Sequence, residues 1–119
     1  MFAIGCARRG TGVLLAAVIL AGCQTAPPSL YEWGDYQSQV YRHFQGGSPE
    51  EQIATMEASY QKIRASGKTP PPGFHAHLGM LYANVGQSDQ AVQEFKTEKA
   101  LFPESGRYMD FLLSKYVSK

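Results

Sequence analysis

His75 and His77 are the side chains whose type and spacing most invite a chemical role. On a helix, residues two apart point about 200° from each other, so this pair cannot chelate one ion as histidines four apart can. Only an extended segment before Leu78 would put both rings on one side. Hydrogen bonding at a helix start or between helices is the simpler expectation for both. His43 stands near a helix end, where partial positive charge is favourable. Glu50 and Glu51 form an acidic pair that a helix N-terminus explains. Lys96, Glu98 and Lys99 read as a solvated charged strip. Gly34-Asp35 and Gly67-Lys68-Thr69 lack the flanking glycines of a phosphate-binding loop, and no nucleophile elbow or Ser/His/Asp pattern occurs. The expectation is a protein that is not an enzyme, with no catalytic residue, metal or cofactor.

The chain has two cysteines in 119 residues, Cys6 and Cys23, both near the N-terminus. The body therefore has no disulfide framework and no thiol site. The segment before Cys23 reads as an export signal: Arg8 and Arg9, an apolar run over 12–20, then the small Ala21 and Gly22. That run is too short for the roughly 20 residues that span a bilayer as a helix. Leu20-Ala21-Gly22-Cys23 closely resembles the lipobox of bacterial lipoproteins. The resemblance implies cleavage before Cys23, a thioether to diacylglycerol on its thiol, and a palmitate-type acyl anchor. Residues 1–22 are then a signal peptide, 23–30 a lipidated cysteine and polar Pro-containing tether, and 31–119 the folded domain. Cys6 lacks these surroundings and reads as incidental. Gln24 stands where an Asp would favour inner-membrane retention, so the expected location is the outer membrane, facing the periplasm.

Charge agrees with that address. The net charge is +1, and loss of Arg8 and Arg9 leaves nine basic side chains against ten acidic. Such a balance gives no field for nucleic acid. Acyl chains hold the membrane without a basic patch, at about 0.8 kcal/mol per buried methylene.

The rest of the pattern is helical. Trp33, Tyr36, Val40 and Phe44 recur on one face, and Gly46-Gly47 ends that element. Ser48-Pro49-Glu50-Glu51 is a helix start, with Ser48 as N-cap and Pro49 at the first position. Ile53, Met56, Tyr60 and Ile63 form the next stripe, stopped by Gly67. After Pro70-Pro71-Pro72-Gly73, a third helix carries Phe74, Leu78, Leu81, Tyr82 and Val85. Ser88 is expected to cap a fourth, with Ala91, Val92, Phe95 and Phe102, closed by Pro103. A fifth, from about Ser105, carries Tyr108, Met109, Leu112, Leu113, Tyr116 and Val117. The fold class is all-α, about five helices arranged as hairpins.

Residues 75–103 resemble a tetratricopeptide repeat, a helix–turn–helix unit of roughly 34 residues. The resemblance is carried by Leu78, Gly79, Tyr82, Gly86, Ala91, Phe95 and Pro103. It implies a close crossing at Gly79 and Ala91, with Tyr82 and Phe95 filling the flanks. Glu98 departs from it, standing where a small residue is usual, which suggests weakened packing or an edge. A generic helical hairpin with fortuitous glycines is the rival reading. The segment 33–67 is a candidate degenerate partner repeat.

Over about 28–113 the chain is similar to a family of small uncharacterised bacterial lipoproteins, the domain of unknown function DUF4810. The similarity is carried by Tyr31-Glu32-Trp33-Gly34-Asp35-Tyr36, by the segment 71–79 and by the segment 95–105. It implies no activity. Members are often encoded beside a lipoprotein resembling the curli-secretion pore component, which implies an envelope partner. Two functions follow as expectations. The first is an adaptor subunit of a cell-envelope complex, since helical repeats mostly recognise proteins and peptides. The alternative is a periplasmic ligand-binding or cell-wall-acting lipoprotein, which a pocket converging His75, His77 and acids would favour. For the adaptor, the binding face is expected on the helix at 74–85, with His75, His77 and Asn84 exposed and Tyr31 and Trp33 framing them. Tyr41 and Tyr108 are further contact candidates.

Overall fold

The computed structural model describes residues 27–117. The expectations for the signal peptide and for Cys23 lie outside those residues. Five α-helices follow one another: α1 Tyr36–Phe44, α2 Pro49–Ala65, α3 Phe74–Asn84, α4 Ser88–Leu101 and α5 Gly106–Val117, with a 3-10 turn at Pro103–Ser105 before the last. Among the described residues all regular structure is helical, and each helix packs against the next in the chain. The class is all-α.

Local signals explain most boundaries. Ser48 caps α2 by accepting from the Glu51 amide at 3.4 Å, and its hydroxyl donates to Glu50 Oε2 at 2.8 Å. The helix stops where Gly67 turns left-handed at φ 70°. In α4 the expected cap differs: Ser88 is the first helical residue, Gln87 occupies the cap position, and no side chain accepts there. Phe102 lies just past α4, buried, and its amide donates to the Glu98 carbonyl at 2.8 Å.

The first helix also departs from the periodic reading. It begins at Tyr36, with Trp33 in the preceding turn and Gly34 at φ 47°. Asp35 N donates to Ser59 Oγ at 3.0 Å, fixing this entry onto α2. Phe44, expected on the buried face, is 82% exposed, whereas Gln39 is buried. A nine-residue helix beginning at Tyr36 turns Tyr36, Gln39 and His43 inward, and Phe44 falls outside that arc.

The core is centred on α3. Phe74, Leu78, Leu81 and Tyr82 meet Met56 and Ile63 of α2, Ala91 and Phe95 of α4, and Met109 of α5. The close α3–α4 crossing expected from the sequence is present. A Cβ placed on Gly79 would stand 2.6 Å from Phe95 Cε1 and 3.2 Å from the Ala91 carbonyl oxygen. In α5, Met109 is buried while Tyr108 is 61% exposed, so only part of its apolar stripe enters the core.

Candidate interaction groove

The N-terminus of α3 sets the geometry. Gly73 occupies the cap position at φ 92° and has no side chain to accept from the first turn. The acceptor comes from α4 instead. Glu98, almost fully buried, takes the Gly73 amide on Oε1 at 2.7 Å and the Ala76 amide on Oε2 at 3.2 Å. A carboxylate there also faces the positive end of the α3 dipole. Glu98 is therefore no member of a solvated strip and sits at no edge; it is a long-range N-cap that locks the hairpin. Gly73 is constrained from a second side, because a Cβ there would lie 2.5 Å from Tyr36 Oη. Burial, aided by the Glu98 charge, pushes the Tyr36 hydroxyl above its ordinary pKa.

From this anchored start the two histidines diverge, as their spacing requires. His75 faces α2 and α4 and is 1% exposed. Its Nδ1 lies 2.6 Å from Glu94 Oε2 and, since a carboxylate only accepts, carries the proton. The Tyr60 ring meets the imidazole edge-on, with centroids 4.8 Å apart. The expectation that His75 is exposed is corrected: two-sided packing by α2 and α4 closes over it. On the same side Tyr82 Oη donates to Glu57, and burial together with that carboxylate raises the Tyr82 pKa. A shallow concavity of about 520 Å³ lies above, lined by Glu57, Tyr60, Gln61, Leu78 and Glu94 among others.

His77 turns toward α1. Its ring is T-shaped to His43, with centroids 5.4 Å apart, and to Tyr36 at 6.1 Å. Its Nε2 is buried without a protein partner. Burial, and then the charge of His43, lower its pKa to about 4, so the ring is neutral at pH 7. His43, expected only to favour a helix end, thus also meets His77, a contact that the sequence did not reveal because the two residues are far apart in the chain.

His77 lines a groove of about 380 Å³ formed by α1, α3 and α5 with Gly73 and the edge of Phe95. Tyr36 comes from α1. Ala76, His77, Met80, Ala83 and Asn84 come from α3. Tyr108, Leu112 and Tyr116 come from α5. None of these carries an Asp, Glu, Lys or Arg side chain. Small residues at 76 and 83 open the floor, and the α5 tyrosines form one wall.

Of the residues expected to make the binding face, His77 and Asn84 line this groove and His75 does not. Nor does either aromatic frame residue. Tyr31 packs edge-on against Phe102 at 5.8 Å, and Trp33 reaches the groove only by stacking on Tyr36 at 6.2 Å. Tyr108, proposed from composition alone, is part of the wall; Met80 was not singled out by the sequence, and Leu112 was expected only as part of the apolar stripe of the last helix. The imidazoles of His75 and His77 do not converge on one pocket. Among the described residues no group of three or more His, Cys, Asp or Glu could hold a metal ion, and no helix is long and apolar enough to cross a membrane.

A family model for a domain of unknown function, DUF4810, matches residues 30–112. No curated protein and no solved structure matches the chain.

Proposed function

The chain belongs to the DUF4810 family, and from that premise we propose that it is an outer-membrane lipoprotein, anchored through Cys23, that serves as an adaptor subunit of a cell-envelope complex. The observation that carries the adaptor role is the charge-free groove between α1, α3 and α5. Its tyrosines and methionine are side chains favoured at interface centres, and charged side chains, which such centres avoid, are missing from its lining. A partner segment lying along α3 buries apolar surface against Met80, Leu112 and Tyr116. Asn84 gives a polar contact at the far end. A second envelope lipoprotein, of the kind implied by the curli-pore-like neighbour, is the partner this reading favours.

Support for the anchor is the sequence alone: the signal, the lipobox and a single cysteine at the cleavage position. Two experiments test the proposal. Cys23→Ala is expected to block processing and acylation and leave an unprocessed precursor; mature-sized protein in the membrane fraction would contradict the anchor. Crosslinking in intact cells, followed by purification, is expected to yield one stoichiometric protein partner, lost in Met80→Glu. Recovery of the chain alone, or a partner indifferent to Met80→Glu, would contradict the adaptor role.

A further inference from the structure

Large apolar side chains stand in solvent along the N-terminal edge of the domain. Leu30 and Phe44 are each 82% exposed, Tyr41 64% and Trp33 39%. Trp33 stacks on Tyr36 through one face of its ring and donates its indole N–H to Ser29 Oγ at 3.3 Å. On α1, Tyr41 and Phe44 project away from the side on which Tyr36, Gln39 and His43 enter the fold.

Charge along this edge is mixed at its start, where Glu32, paired with Lys68 at 2.9 Å, and Asp35 flank Trp33. From Tyr36 to Pro49 the sequence contains no Asp or Glu, while Arg42 stands in the last turn of α1. Arg42 approaches Glu51 at 3.9 Å with both side chains well exposed, a pair weak enough to exchange for another anion. The part of the edge formed by α1 and the turn after it is thus positive, while the mature chain as a whole carries a slight acidic excess.

Its position in the chain decides the occupant. Leu30 follows Cys23 by seven residues, which even fully extended span only about 25 Å. Resting on the reading of Cys23 as the lipid anchor, we propose that Leu30, Trp33, Tyr41 and Phe44, with Arg42, form a membrane-docking edge for the phospholipid leaflet that holds the acyl chains. Trp and Tyr favour the headgroup level, where an apolar ring and a polar tip are both satisfied. Arg42 meets the anionic headgroups. The domain then lies on the leaflet instead of swinging from a free tether. Because Tyr36 on the inner side of α1 lines the groove, docking also fixes the direction the groove faces.

Trp33 is the chain's only tryptophan, so its fluorescence reports on this edge. The full processed protein is reconstituted into vesicles of phosphatidylethanolamine and phosphatidylglycerol, with and without acyl-brominated lipid. Brominated lipid is expected to quench Trp33 by about twofold, as for an indole at the headgroup–acyl boundary. Tyr41→Ser/Phe44→Ser is expected to abolish most of that quenching while remaining vesicle-bound and helical by circular dichroism. A vesicle-bound protein whose Trp33 ignores brominated lipid and is freely quenched by acrylamide overturns the docking and leaves the anchor intact. Absence of radiolabelled palmitate on the processed chain overturns the anchor, and the docking with it. Protection of Trp33 that rises with protein concentration in detergent, without vesicles, identifies a self-association surface and also overturns the proposal.

Discussion

The two sides of α3 differ in whether their histidine meets a carboxylate: His75 does and His77 does not. Toward α2 and α4, His75 is sealed and its Nδ1 is matched to Glu94, with Tyr82 paired to Glu57 beside it, while its Nε2 is buried without a hydrogen-bond partner. Toward α1 and α5, His77 is partly covered, neutral at pH 7, and has a buried Nε2 without a protein partner. The first side spends its polar groups on holding helices together. The second leaves them at the edge of a charge-free groove. One helix thus separates a side closed by hydrogen-bonded side chains from a side that opens on the groove proposed for recognition.

That division can be broken from either side, and the closed side carries the larger effects. Gly79→Val drives a branched side chain into Phe95, which is itself buried and cannot retreat. The expected loss is about 3 kcal/mol or more, read by chemical denaturation; an unchanged midpoint would contradict the close crossing. Glu98→Ala strips two partly buried amides of their acceptor and is expected to cost about 2–4 kcal/mol. Glu98→Gln recovers part of that, because one oxygen remains to accept. Equal loss in both variants would show that the charge at the helix start outweighs the hydrogen bonds.

The groove side yields a pH dependence. Unfolded, His77 titrates near 6.5; folded, near 4. Between those values the unfolded chain binds more protons, so stability is fully present above about 6.5 and falls as pH drops toward 4. The loss is well under the roughly 3 kcal/mol of an unscreened shift, because the ring is only partly buried and solvent screens its charge. In His77→Phe the denaturation midpoint is expected to lose most of its slope over that window, and an unaltered slope would show that His77 is not its source. The smallest stability effect belongs to Asn84→Ala, expected within about 0.5 kcal/mol of wild type because the residue is exposed. Partner capture should nevertheless weaken.

Features determined within a few residues were legible in the sequence. The Ser48 cap, the stop at Gly67 and the crossing at Gly79 follow from local pattern and side-chain size. Glu98 was misread because its amide partners lie 25 and 22 residues away. The signal was present in two halves: a helix starting after Gly73 with no side chain to cap it, and a carboxylate where a small residue was expected. The outward turn of Phe44 depended on where α1 begins, which Gly34 and the Ser59 contact set and hydrophobic period does not. The burial of His75 needed knowledge of which neighbours cover α3. The groove could be read in part, since His77 and Asn84 share it, but its α5 wall is a tertiary product.

The claim that the α1–α3–α5 side is the recognition surface is tested most directly by site-specific photo-crosslinking in cells. A photoreactive amino acid is placed at Asn84 in the groove or at Gln61 beside the Glu57–Glu94 concavity, both exposed positions. A single discrete adduct from position 84 and none from position 61 is expected. An adduct from position 61 with none from position 84 would contradict the assignment and move recognition to the opposite side of α3.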